Sequence, residues 1–404
     1  MVQTPVHPVD RATLAQTVAQ VLRGGYGEVA HSVRVGSMII RRERWVGMTR
    51  HAGITPLTVV TQVAGILACP ATTRAHEKWF YDATLHPTRW EQAFQFPGIV
   101  GVGVAVVLTV MAGLAWRARR GRDLLPGPPA LGATEAGRAQ FYALVPFILG
   151  FHVGLPLIVL GIRGELLSPN NGLEGASRYW LGLAEIGIGV GVLYGALTRL
   201  ASAVLAGIWI VGIGLIGLEP MLENLHYLGF AAFFFLTGRG PYAIDRLLFL
   251  ALEPPPAFAR RAITSLRVAM GLSLCMVAFT EKLANPQLAM AFLQHYPLNF
   301  TPWIGLPMSD ELFVLCAGAT ELLIGLWMVF GLFPRVIIAT AWIFINMTLT
   351  VFNWVELLGH LPLYGVMAVL LIWTPTEEDQ RLWVQGVLGH DQGVRPEQPA
   401  RRPT

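Results

Sequence analysis

The sequence predicts an all-α integral membrane protein of about ten transmembrane helices. These form two four-helix bundles behind an N-terminal two-helix block, with both termini cytoplasmic. Three observations lead there. The first is composition: 54% of the 404 residues are hydrophobic and 13% charged, against roughly 25% charged in a soluble domain. The second is an internal repeat. Gly182, Glu185, Gly189, Gly195, Arg199 and Ala203 recur at identical spacing as Gly318, Glu321, Gly325, Gly331, Arg335 and Ala339. In each copy a His then precedes a Pro by fifteen residues, His226 before Pro241 and His360 before Pro375. Self-similarity on this scale marks a duplicated structural unit. The third is the distribution of Lys and Arg, of which 23 fall on one side of the expected spans and 6 on the other. Basic residues gather on the cytoplasmic side.

Residues 1–51 are polar and basic. Asp10 is placed to cap a short helix over 11–22, where Leu14, Val18, Val21 and Leu22 recur at helical spacing. Arg41, Arg42, Arg44 and Trp45 suit either a membrane-surface helix or a loosely ordered tail. A span needs about 20 mostly apolar residues. Candidates lie near 52–70, 97–116, 140–162, 179–197, 200–218, 222–238, 263–280, 311–332, 335–353 and 358–374. Glu223 and Asn224 blur the outer end of the sixth. The chain thus divides into a basic segment 1–51, a two-helix block 52–125, a first unit 139–245 and a second unit 262–375. Pro126 to Pro129 and Glu253 to Pro256 are the linkers, and residues 376–404 form a polar tail expected to be disordered.

The second unit carries Arg267 and Gly271 in a helix ending in Phe279, Glu281 and Lys282. Gly318, Glu321, Gly325, Gly331 and Arg335 follow, and the last helix opens Gly359-His360-Leu361-Pro362. This pattern resembles the DoxX family of small four-helix membrane proteins, present here in tandem. The first copy keeps Glu185, its glycines, Arg199 and His226, but has Arg163 and Glu165 in place of the Glu-Lys pair. It also lacks a proline two residues after its His. The resemblance implies a bacterial inner-membrane protein tied to membrane oxidoreductase assemblies, with quinone as the possible ligand and no covalent cofactor. It implies an accessory subunit more than a stand-alone catalyst, with redox subunits as partners on the outer face.

Ionisable residues inside a membrane are functional candidates by default. Glu321 precedes Arg335 by fourteen residues, about 21 Å along a helix, which sets it in the outer half of the bilayer. Glu281 and Lys282 close one helix at that level, Asn353 ends another, and His360 opens the last. Together they form a candidate site for a polar head group or a proton. Arg163, Glu165, Glu185 and His226 are its mirror in the first unit, with His152 deeper. The same residues also read as structural glue, Glu321 pairing with Lys282 to hold two helices. Gly182, Gly189, Gly195, Gly318, Gly325 and Gly331 read as helix-packing positions.

The first outer loop, with His76, Lys78, Trp79 and Phe80, suits an interfacial belt or a docking surface for an outer-face partner. Metal is not expected there, because no compact ligand spacing is present and Lys78 repels a cation. Cys69, Cys275 and Cys316 include no C-x-x-C, so a thiol relay has no support. Phosphate-binding glycine loops, serine triads and nucleic-acid patches are absent from the sequence. Three functions remain: a quinone-linked subunit of a redox complex, a carrier of protons or small molecules using the two units as repeats, and a membrane scaffold without ligand.

Overall fold

The structure, a computed structural model, describes Lys78 and residues 85–248, 254–349 and 354–388. The first expected span, the 11–22 helix, His76, Trp79, Phe80 and Asn353 lie outside the described residues. Among those described the protein is helical, with one isolated bridge between Glu165 and Gly172 and no strand. The main helices are α1 Gly98–Ala118, α2 Glu135–Arg163, α3 Gly175–Tyr194, α4 Thr198–Leu215, α5 Leu218–Glu223 and α6 His226–Thr237. They continue as α7 Pro256–Val277, α8 Pro286–His295, α9 Asp310–Phe330, α10 Pro334–Leu349, α11 Trp354–Ile372 and α12 Glu377–Leu388. Among the described residues five helices are long and apolar enough to cross a membrane: α1, α2, α4, α9, and α7 with the turn that extends it to Leu283. Shorter apolar helices stand at His226–Thr237, Pro334–Leu349 and Glu356–Ile372.

Chain chemistry sets the ends of these elements. Thr134 and Ser309 accept backbone N–H groups at the starts of α2 and α9, satisfying donors that a helix leaves open. Gly195 and Gly331, expected among the packing glycines, do something else. They end α3 and α9 in the left-handed conformation, at φ 70° and 68°, where a Cβ is disfavoured. Gly182 is a true contact glycine, since a Cβ on it would lie 2.5 Å from the Gly161 carbonyl oxygen. Gly189 meets the Gly154 carbonyl oxygen in the same way at 2.7 Å, and its repeat counterpart Gly325 meets that of Gly271 at 2.8 Å. The two units thus repeat one close crossing of first and second helices.

The expectation of two self-contained four-helix bundles needs correction. Within each unit the first and fourth helices barely touch. Instead α6 packs between α4 and α7 of the other unit, and α11 packs between α10 and α2. The eight helices therefore close one ring in chain order, with α6–α7 and α11–α2 as its seams. The cause is visible in α6, whose Tyr227, Phe230, Phe233 and Phe234 are all buried. A helix apolar all round needs cover on more than one side, and its own unit covers only part of it. Helix α1 flanks the second unit against α9.

The tail expected to be disordered from Thr376 begins instead with α12, lying on α2 and α7. Leu382, Trp383 and Val387 are buried, and Trp383 Nε1 donates to the Ala259 carbonyl at 2.8 Å. Asp379 accepts from Arg138 Nη1 and Tyr142 Oη, both at 2.7 Å. Three apolar side chains in one helical stripe and one buried carboxylate suffice to dock a segment whose composition is otherwise polar. Residues 389–404 lie outside the described residues.

Candidate functional site

The second-unit site begins where α7 loosens. After Val277 the helix passes into a π turn, Ala278–Leu283, a distortion often found at functional positions. This turn carries Glu281 and Lys282. Lys282 Nζ stands 3.1 Å from Glu321 Oε2 on α9 and 3.6 Å from Glu281 Oε2. The approach depends on Gly318, where a Cβ would come 2.9 Å from that of Lys282. Glu281 is buried, whereas the Lys282 and Glu321 side chains remain 17% and 20% exposed. Three of the five expected residues are therefore together. His360 pairs instead with Glu356, one turn back on its own helix, at 3.2 Å. Asn346 and His152 each bond a carbonyl of their own helix.

Where α5 packs on α7 a second set of charges extends this site, and the sequence reading missed it. Lys78 pairs with Glu223 and lies 3.3 Å from Glu219, which also accepts from Thr88 Oγ1 at 2.6 Å. Lys78, expected on a docking loop, is instead only 8% exposed, because two carboxylates draw it inward. Burial works against its charge, yet Glu223, with Glu281 and Glu219 behind it, holds its ammonium above the usual lysine range. Glu281 thus interacts with both groups, joining Lys78 and Glu223 to the Lys282–Glu321 pair. Ser273 of α7 donates to the Glu223 carbonyl and meets His226 Nδ1 at 2.9 Å. One signal was legible beforehand: Glu219 and Glu223 stand four apart at the head of an apolar run, hence on one helical face.

The mirror set in the first unit does not assemble as expected. Arg163 pairs with Glu165 at 2.7 Å. Glu185, fully buried, accepts from the Leu167 backbone N–H at 2.8 Å. His226 goes elsewhere, to Ser273 of the other unit. The reason lies in how the first helix ends. Where α7 runs on through its π turn, α2 stops at Gly164 in the left-handed conformation, φ 71°. The chain then folds back, with Leu166, Leu167, Ser168 and Asn171 buried over Glu185. Leu166 and Asn171 close this loop by two hydrogen bonds at 2.8 and 3.1 Å. The first unit is sealed where the second is partly open.

The resulting cluster holds four carboxylates, Glu219, Glu223, Glu281 and Glu321, against two ammonium groups, Lys78 and Lys282. Such an arrangement can pair with a polar head group through Lys282 and Glu321, or exchange protons with it. The chain matches no known family model, no curated protein and no solved structure.

Proposed function

We propose that the protein is a DoxX-like integral membrane subunit of a quinone-linked redox complex, and that Lys282 and Glu321 hold a polar head group. One observation carries the reading: the asymmetry between equivalent positions. Glu185 lies sealed beneath a folded loop, while Glu321 and Lys282 keep access from outside the protein. A purely structural ion pair gains nothing from that exposure, since partial solvation weakens it. An ammonium beside a carboxylate, in apolar surroundings, offers a donor and an acceptor to a carbonyl or hydroxyl head group. The bacterial inner membrane is the proposed location. The sequence's bias of basic residues supports an orientation with both termini in the cytoplasm.

The test is purification into lipid nanodiscs followed by native mass spectrometry. Wild type, Lys282→Met and Glu321→Gln are compared. Quinone or a redox subunit travelling with wild type, and lost from both variants, is the expected result. A wild-type protein that emerges alone and unliganded defeats the proposal.

A further inference from the structure

The second seam, where α11 packs on α2 and α10, carries polar groups that the Lys282–Glu321 site does not use. Glu356, His360 and Tyr364 are spaced by four residues along α11, so they share one face. Glu356 is 2% exposed and accepts from Thr348 Oγ1 of α10 at 2.6 Å, and His360 Nδ1 stands 3.2 Å from its Oε1. The Tyr364 hydroxyl is buried without a hydrogen-bonding partner among the described residues. On α2, His152 lies against Gly365, its Nδ1 bonded to the Ile148 carbonyl.

The internal repeat supplies the comparison. Counted from the matching histidines, Glu356 and Tyr364 correspond to Leu222 and Phe230. By the spacing of the third helices, Thr348 corresponds to Gly212. The first unit has Leu, Phe and Gly at these positions, with Leu222 on the short helix α5 that precedes α6, and Phe230 is fully buried in the core. Packing alone does not require a carboxyl, a hydroxyl and a phenol there. Buried polar groups cost stability when their partners are incomplete, so their presence in one copy only points to a task.

We propose that Glu356, His360 and Tyr364 form a proton-exchange relay along α11, a second site that does not depend on what binds at Lys282. A proton passes between the Glu356 carboxyl and the His360 imidazole when a small ring rotation aligns Nδ1 with Oε1, 3.2 Å away. His360 passes a proton from its other ring nitrogen, through one bridging water, to the Tyr364 oxygen. The tyrosine hydroxyl releases its own proton to the next water as it accepts. One proton enters for each that leaves, and no group is oxidised or reduced. The relay covers eight residues, about 12 Å of helix.

The test uses the full chain in liposomes with an entrapped pH dye and a potassium diffusion potential. Wild type should move protons faster than protein-free vesicles. Glu356→Leu and Tyr364→Phe each install the residue that the first unit already uses. Both should lower the flux about tenfold or more at unchanged elution profile, and Tyr364→Phe is close to isosteric should the other variant fold poorly. Glu311→Gln, at an exposed carboxylate in the first turn of α9, should conduct as wild type does. The relay is overturned if wild type does not exceed empty vesicles or if both α11 variants conduct at the wild-type rate. Equal loss of flux in Glu311→Gln also overturns it, since the current would then not belong to α11.

Discussion

Arg239 offers the sharpest test of how the two units differ. It lies between α6 and the short helix Ile244–Leu248, 2% exposed. Its Nε donates to the Val192 carbonyl at 2.5 Å and its Nη2 to Leu193 at 3.0 Å, and the guanidinium sits 4.7 Å from the Phe147 ring. These are last-turn carbonyls of α3, which lack intrahelical partners and carry the negative end of the helix dipole. In the second unit Arg267 serves the matching carbonyls of Met328 and Val329, but it does so from within the first helix, α7. Aligning the close-contact glycines Gly154 and Gly271 puts Gly150 at the position of Arg267. A Cβ on Gly150 would meet both Arg239 Nε and, at 2.5 Å, the Val192 carbonyl oxygen. The first unit thus brings its capping cation from a distant loop and leaves room for it with a glycine. Each charge-assisted bond contributes about 1.5–3 kcal/mol and the ring contact about 0.5–2 kcal/mol. Against these stands a desolvation penalty of several kcal/mol that the variant no longer suffers. Arg239→Ala should therefore lose about 3 kcal/mol in reversible unfolding by SDS titration in mixed micelles. Arg239→Lys should recover less than half, because an ammonium cannot span two carbonyls as the planar fork does. An Arg239→Ala protein within about 0.5 kcal/mol of wild type would refute the capping argument.

Two further outcomes follow from the same geometry. Trp383→Ala should lower stability by about 3–5 kcal/mol and open α12 to limited proteolysis, because a buried indole and its bond to Ala259 are lost together; an unchanged digestion pattern would count against docking of that helix. Lys78 predicts a pH dependence at the alkaline end. Its folded value lies above the ordinary 10.5, so its contribution to stability is complete below about pH 10.5 and is lost as pH rises through the folded value. Wild type should lose stability above that pH more steeply than Lys78→Met, and parallel curves would contradict the pairing with Glu223.

The helical character of the chain and its apolar segments were legible in the sequence, because periodicity and composition act over a single turn or a single span. The repeat pointed to equivalent positions, and so to Glu321 beside Lys282. It also misled, since equal spacing suggested equal sites. The identity of one residue, Gly164 in the place where the second unit continues its helix, lets the first unit fold a loop over Glu185. The Lys78, Glu219 and Glu223 set stayed hidden for another reason. Lys78 stands more than a hundred residues from Glu219 and Glu223 in the chain and meets them only in the folded protein.

The sequence by itself determined where the apolar helices form and which residues are too polar for a bilayer without partners. Only the tertiary structure decided which partners those residues obtain: His226 with Ser273, His360 with Glu356, Arg239 with the end of α3. The physical reason is that an apolar face turned to lipid and one turned to a neighbouring helix look alike in sequence. The choice of neighbour therefore rests on steric fit and on a few polar pairs between distant segments, and neither leaves a periodic trace along the chain.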